Sequence, residues 1–335
     1  MYLAEIEQWM KEHGQPAFRA KQVFQWMHQK YVASTEDMSN LPKALRAQMD
    51  EEGFVHIEAE MSQESKSDGT IKFLYRLSDG QMIETVFMRH NYGNSVCISS
   101  QAGCRMGCRF CATGRQGLQH SLSTNEILNQ IGSLPERERL TNVVFMGMGE
   151  PLDNLDSLLP TLEILTSAWG FGWSPTRITV STAGVASRLE RFLDATQVHL
   201  AVSLHNPFPH ERAEIMPVEK AWPIREVVEI LRRYDFTHQR RVSFEYIVMS
   251  GLNDSPRHIR ELCRLLDGIK CRINLIRFHK IPGSPYFSPD DRAMIAFRDA
   301  LTAKGIHTTI RTSRGEDIQA ACGLLSTAQN ETAQF

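Results

Sequence analysis

Cys104, Cys108 and Cys111 fall in the run Gly103-Cys104-Arg105-Met106-Gly107-Cys108-Arg109-Phe110-Cys111-Ala112-Thr113-Gly114, where C-x-x-x-C-x-x-C sets three thiols on one short loop. A cubane 4Fe-4S cluster is held by four thiolates. A loop that brings three leaves one iron free for another ligand, and that open iron is where chemistry would occur. Zinc is the first competing reading. Structural zinc sites are closed tetrahedra usually built from two separated ligand pairs, and the chain has no second C-x-x-C and no H-x-x-x-H. Inert packing is the second, since a single free cysteine most often sits among apolar side chains. Three of the seven cysteines within eight positions, flanked by Gly103, Gly107 and Gly114, favour the cluster over both.

Other polar residues suited to ligand binding follow apolar runs. They are Met146-Gly147-Met148-Gly149-Glu150-Pro151, Ser181-Thr182-Ala183-Gly184, Ser203-Leu204-His205-Asn206 and Asn274. Glycines at such places let backbone approach a ligand, and Glu150 can accept hydrogen bonds from an ammonium group. A Gly-x-Gly after a strand is more often just a turn. Recurrence of these residues beside the cysteine loop is what points to a binding edge.

The elements that must position them alternate in type. Strand character appears at 96–99, 142–146, 177–181, 199–204, 242–248, 272–278 and 308–312, with helical periodicity at 156–167, 185–195, 224–234, 256–266 and 289–304. Alternation of this kind predicts parallel strands with outer helices, and the count and length fit an α/β barrel, incomplete and TIM-like, better than a flat sheet. The polar residues would then share the C-terminal edge of the strands, where barrels bind ligands. Two further strands, 71–76 and 82–88, are joined by Ser78-Asp79-Gly80 as a hairpin. Upstream, three short helices are expected: one around Leu3, Ile6 and Met10, one over 18–31, and one starting near Ser39 and Asn40 with Pro42 in its first turn.

At 335 residues the chain suits one barrel-sized body and a small accessory domain. The expected division is a helical accessory segment with its linker over 1–70, a barrel with a β-extension over 71–325, and a loose polar tail over 326–335. A formal charge of −2 excludes a chain that binds nucleic acid by bulk charge. Contacts of that kind would need local patches, such as Arg105, Arg109 and Arg115, or Arg311 and Arg314, or the group Arg232, Arg233, Arg240 and Arg241, although a solvated charged face is the commoner meaning of the last. No apolar run approaches membrane-spanning length, and seven irregularly spaced cysteines do not make a secreted disulfide framework. A soluble cytoplasmic protein is the expectation.

Taken together, the three-cysteine loop, Gly149-Glu150-Pro151, Ser181, Ser203-Leu204-His205, Asn274 and Arg314-Gly315-Glu316-Asp317-Ile318-Gln319-Ala320-Ala321-Cys322-Gly323 resemble the radical S-adenosylmethionine (SAM) RNA methyltransferases of the RlmN/Cfr type. The cysteine loop marks only the radical SAM superfamily; Cys97 together with Ala-Ala-Cys322-Gly narrows the resemblance to RNA adenine methylation. It covers nearly the whole chain and implies a partial (β/α)6 radical SAM barrel with a small N-terminal helical accessory domain that docks RNA.

The resemblance further implies a 4Fe-4S cluster on Cys104, Cys108 and Cys111, and SAM bound by Gly149, Glu150, Ser181, Ser203, Leu204, His205 and Asn274. Cys322 matches the cysteine that carries the methyl group, Cys97 its disulfide-forming partner, and Glu84 the proton acceptor. Adenine C2 is an electron-poor carbon that cannot attack SAM, so one SAM would methylate the Cys322 thiolate. A second would yield a radical that activates the S-methyl group. The partners implied are 23S rRNA, tRNA as a second substrate, and an electron donor such as flavodoxin or ferredoxin, with the enzyme a monomer.

Methylation at C8, the Cfr-type activity conferring resistance to ribosome-targeting antibiotics, is the alternative within the family, against which Pro151 resembles the C2 branch. A radical SAM activase of another protein and a zinc-binding RNA adaptor are the alternatives outside it. Cys263, Cys271 and Met88 match no functional position and read as packing. So, without the family, would Cys97 and Cys322, and Glu84 would read as a carboxylate on the solvent face of a strand.

Overall fold

The computed structural model describes residues 3–327 apart from 31, 33, 53–58, 92, 238 and 239. Three helices open it: α1 (Leu3–Glu12), α2 (Phe18–His28) and α3 (Lys43–Glu51). Ile6 and Met10 lie one turn apart on α1, and Val23, Phe24 and Met27 recur on one face of α2; all five are buried. The second helix stops at His28, short of the expected 31, which lies outside the described residues, and Pro42 precedes α3 as its N-cap. This helical body docks on the rest of the chain through aromatic contact. The Phe24 ring lies 5.2 Å from that of Trp169, and the Gln29 side chain donates to the carbonyls of Ala168 and Trp169.

A single ten-stranded sheet carries the remainder. Its antiparallel flank is β1 (Met61–Glu64), β2 (Ile71–Arg76) and β3 (Met82–Met88), the last two joined by the expected hairpin with Gly80 at φ +85°. The sheet thus begins before residue 71. β4 (Asn94–Cys97) pairs antiparallel with β3 and starts the parallel body. Between β4 and the next sheet strand the chain makes a small hairpin, β5 (Gln101–Cys104) and β6 (Gly117–Ser121), enclosing α4 (Ala112–Gln116), and then α5 (Thr124–Gly132). Gly103 at φ +72° is obligatory in that hairpin, because a Cβ there would stand 1.8 Å from the Gly117 carbonyl oxygen.

From there strands and helices alternate: β7 (Leu140–Phe145), α6 (Leu155–Thr166), β8 (Ile178–Thr182), α7 (Ala186–Ala195), β9 (His199–Ser203), α8 (Pro209–Ile215), α9 (Ile224–Leu231), β10 (Val242–Val248), α10 (Pro256–Leu265), β11 (Cys271–Arg277), α11 (Asp291–Ala303) and β12 (His307–Ile310). Sheet order is β1-β2-β3-β4-β7-β8-β9-β10-β11-β12, with every pairing from β4 onward parallel. Six strand–helix units followed by β12 in a sheet whose ends do not meet make the partial α/β barrel that the alternation predicts. The face that meets the helices is apolar, with Phe244, Tyr246 and Val248 on β10 all buried, while the opposite face turns Ser243, Glu245 and Ile247 toward the cavities inside the barrel. After β12 the chain runs without long elements back across the strand ends to residue 327.

Helix α5 and the β5–β6 hairpin lie outside the elements expected from the sequence, although α5 had a local signal. Ser123 accepts from the Glu126 amide while the Glu126 carboxylate accepts from the Ser123 amide, a complete capping box. Among the described residues no helix is long and apolar enough to cross a membrane.

Candidate active site

A cavity of about 820 Å³, counted with its open mouth, lies at the C-terminal ends of the parallel strands. Cys104, Cys108 and Cys111 form one wall. Their loop is tied down from two sides: the Arg109 amide donates to the Ile215 carbonyl at 2.9 Å, and the Ala112 amide to the Gly323 carbonyl at 2.8 Å. Gly114 lets α4 close over the loop, since a Cβ there would stand 3.0 Å from the Cys108 backbone. Burial, then the Glu150 carboxylate and Cys111, push Cys104 up to about 12; burial, then Cys111 and Cys104, raise Cys108 well above the usual thiol range; burial also raises Cys111. Thiols buried in this way keep their protons until a cation arrives to displace them. Among the described residues no group of three or more His, Cys, Asp or Glu is gathered as the cage of a single ion. The donor set fits an iron–sulfur group through three thiols on one wall.

Facing them are polar groups on the strand ends. Gly149, at φ +100°, brings its backbone against β5, where a Cβ would stand 2.6 Å from that of Gln101. Glu150 is buried and caps the turn beginning at Pro151, accepting from the Leu152 amide at 3.0 Å and the Ala183 amide at 2.6 Å. Ser181, Ser203 and His205 complete this side of the cavity. His205 adopts φ +54°, and its Nδ1 accepts from the Ile247 amide at 3.0 Å, so the ring proton resides on Nε2. Burial, helped by the Arg212 charge, lowers its pKa to about 3, and the ring is neutral at physiological pH.

Burial raises Glu150 from 4.5 to about 7 despite its amide donors. The stability this lends is fully present below pH 4.5, where folded and unfolded chains are both protonated. It declines above that and is gone once the pH exceeds about 7, a loss on the order of 3 kcal/mol at most. We expect the melting temperature of the ligand-free protein, taken relative to Glu150→Gln, to fall between about pH 5 and about pH 8. A difference independent of pH would mean that the carboxyl is ionised throughout.

Two residues expected in the same site stand apart from it. Leu204 is fully buried in the core and offers only its backbone, with its amide donating to the Glu245 carbonyl at 3.0 Å. An apolar side chain there packs rather than binds. Asn274 lies one step behind, in a neighbouring cavity, where its amide donates to Glu245 Oε1 at 2.7 Å and its carbonyl accepts from Thr309. Glu245 itself lines both cavities. A carboxylate within the apolar run Val242-Ser243-Phe244-Glu245-Tyr246 was the available signal for it.

Cys322 faces the main cavity and also a second one of about 600 Å³, whose wall includes Cys97, Arg311 and His279. Cys97 is held on β4, paired with Val86 and Val144, and is pushed up to about 12 by burial and by the nearby Cys322, against the pull of Arg311. Arg311 lines the second and the neighbouring cavity, one-third exposed. Its guanidinium contacts Met146 Sδ at 3.1 Å and Glu245 at 3.4 Å, and lies within electrostatic reach of both thiols. Arg314 likewise donates inward, to the Arg89 and Asp68 carbonyls. In the third basic group Arg233 pairs with Glu190, Arg232 with Glu229, and the buried Arg240 donates to the Leu193 carbonyl. These residues precede β10, at the end of the sheet opposite the site, and Arg232 and Arg233 form the paired surface that is the commoner reading of such a run.

Glu84 departs from the solvent-face reading. It is 1% exposed, pairs with Lys72 Nζ at 2.9 Å and accepts from the Ser326 amide at 2.8 Å. It lines neither cavity; Val86 and Met88, on the same face of β3, line the second. Its contact fastens the segment that carries Cys322. The same segment is held at Thr113, whose hydroxyl donates to the Leu325 carbonyl, and at its other end where Ser65 donates to Asp317 and the Gly315 amide to Asp68. Cys263 and Cys271 are half-buried, away from both cavities, as expected of packing residues.

Residues 98–266 match the profile of the Radical SAM superfamily, and residues 1–55 that of the ribosomal RNA large subunit methyltransferase N-terminal domain. Over 99% of its length the chain is 51% identical to a Bacteroides fragilis protein named probable dual-specificity RNA methyltransferase RlmN, of which it covers 96%. A protein of the same name from Halalkalibacterium halodurans is 42% identical over 96% of the chain and 90% of its own length. The crystal structure of a radical SAM methyltransferase from Sphaerobacter thermophilus matches with a TM-score of 0.91 at 39% identity, over 97% of each chain.

Proposed function

The chain belongs to the RlmN family of radical SAM RNA methyltransferases, and from that premise we propose that it methylates C2 of an adenosine in 23S rRNA, and of one in tRNA, through a methylated Cys322. The observation that carries this reading is the position of Cys322, a thiol shared between the cavity walled by three cysteines and the cavity that holds Cys97.

When bound, a 4Fe-4S cluster and SAM would supply an electrophilic methyl group and a 5'-deoxyadenosyl radical. Cys104, Cys108 and Cys111 would hold the cluster. Gly149, Glu150, Ser181, Ser203 and His205 would seat SAM, with Glu150 accepting from its ammonium group; Asn274 would act on this wall through Glu245. Cys322 takes the methyl group as a thiolate, by displacement, so its proton must leave first. After the S-bound carbon has joined the ring, a proton and one electron must leave to restore the ring: Glu84 receives the proton, for which the segment around Ser326 has to lift from the carboxylate, and the electron would return to the iron–sulfur group that the three cysteines would hold. Cys97 then forms an S–S bond to Cys322 as the sulfur–carbon bond breaks, and the carbon released takes up a proton to become the methyl group. A low-potential donor such as flavodoxin or ferredoxin supplies electrons, and reduction of the disulfide restores both thiols. The three N-terminal helices would dock RNA, and the target adenine has to leave its stack to reach Cys322.

Pro151, at the first position of the turn that Glu150 caps, favours C2 over C8 by its likeness to the C2 branch. Nucleoside mass spectrometry of 23S rRNA and tRNA from cells with and without the gene tests reaction, position and RNA class together. Loss of 2-methyladenosine from both RNAs on deletion is expected. Loss of 8-methyladenosine instead would overturn the assignment to C2, and no change in either would remove the RNA substrate.

A further inference from the structure

Arg212 is the largest fully buried side chain among the described residues, and it is charged. A guanidinium keeps its proton in proteins, so burial at this depth demands that its donors be used. From α8 it donates to the Ala183 carbonyl at 2.8 Å, the Ser203 carbonyl at 2.9 Å and the Leu204 carbonyl at 3.0 Å, and pairs with Glu219 Oε2 at 2.5 Å. Those carbonyls end β8 and β9, the two strands that deliver Ser181, Ser203 and His205 to the main cavity. The last residue of the same helix, Ile215, takes the Arg109 amide, one position after Cys108. Pro217, just beyond, lies 3.7 Å from where a Gly107 Cβ would be. The Arg212 charge lies near enough to act on the Cys108 thiol.

We propose that Arg212 is a positioning residue with two separable effects: its forked donors hold the SAM-binding strand ends in register, and its charge, moderated by Glu219, sets how easily the cluster on Cys108 accepts an electron. This rests on the cofactor reading given above. Reduction adds negative charge to a buried group, so a fixed cation beside it stabilises the reduced form and a nearby anion opposes it. Lysine would preserve the charge yet cannot fork to three carbonyls.

The test is an EPR-monitored redox titration of the reconstituted protein without RNA, with SAM binding measured in parallel by calorimetry. Arg212→Gln should move the midpoint potential to a more negative value. Glu219→Gln, which leaves the cation uncompensated, should move it the other way. Arg212→Lys should leave the potential in place while weakening SAM binding about tenfold, the equivalent of losing a hydrogen bond to a charged group. If Arg212→Gln does not fold, the opposite shift from Glu219→Gln and the unchanged potential of Arg212→Lys still decide the matter. Equal potentials in the wild type and Glu219→Gln, or shifts of the same sign in the two glutamine variants, would overturn the electrostatic role. Unchanged SAM affinity in Arg212→Lys would overturn the positioning role. A wild-type protein that takes up no cluster would remove the cofactor reading and the proposal together, whereas loss of RNA specificity would leave these potentials untouched.

Discussion

Cys322→Ala is expected to lower methylation by at least about 10³-fold, the scale on which loss of a nucleophile acts, while iron and acid-labile sulfide in the anaerobically purified protein stay at wild-type content. The two readouts separate because Cys322 is not on the three-cysteine loop. Alanine removes only the sulfur, and the backbone ties of the segment survive, since the Gly323 and Leu325 carbonyls accept from Ala112 and Thr113 whatever stands at 322. Methylation that persists in this variant would dismiss the covalent intermediate and favour a radical SAM activase. Loss of iron together with activity would instead give Cys322 a part in holding the cluster.

Cys97→Ala is expected to do something different, leaving RNA attached to the protein. With Cys322 intact the carbon is still transferred to the ring, and without a second thiol the sulfur–carbon bond has no partner to displace it. A denaturing gel should show a protein band retarded by nuclease-sensitive mass, and free methylated RNA should fall well below one turnover per enzyme. The fold should tolerate the change at a cost of about 1 kcal/mol, since one small buried group is removed from a strand held by its neighbours on both sides. Free methylated RNA at the normal rate would take the resolving role away from Cys97.

How much of this was legible in the sequence varies with how local the cause is. The hairpin of β2 and β3 matches its expected bounds because a turn and the alternation beside it are written within a few residues. The strand-end polar residues were found for the same reason, because a parallel strand announces itself as an apolar run and the site follows it. Helix α5 carried its capping box in plain view at Ser123 and Glu126, yet its apolar face is short and lay beside the more conspicuous cysteines.

What could not be read is what depends on partners distant in the chain. Glu84 reads as surface in isolation, and becomes buried because Ser326, 242 positions away, closes over it and Lys72 pairs with it from the adjacent strand. The family resemblance implies a place for Asn274 and Leu204 on the ligand wall. Only the register of β10 against β11 and β9 shows Glu245 standing in front of the first, and the core enclosing the second. Arg212 carries no signal in the chain and Arg311 reads there only as part of a basic patch with Arg314; the importance of both comes from the carbonyls and thiols that folding sets around them.

The thiol that belongs to two cavities bears on the timing of the enzyme. Cys322 already faces both the three-cysteine wall and the chamber of Cys97, with its flanking segment fastened at either end. In the proposed cycle, passing the sulfur from one compartment to the other asks only for side-chain rotation, which occupies picoseconds to nanoseconds, whereas freeing Glu84 asks for release of the Ser326 contact, a slower motion of the segment. Enzymes of this size commonly turn over once in milliseconds to seconds. Rotation of the sulfur is thus far faster than turnover in the proposed cycle, and the clock would be kept by opening of the fastened segment, electron delivery, bond chemistry or the departure of the RNA.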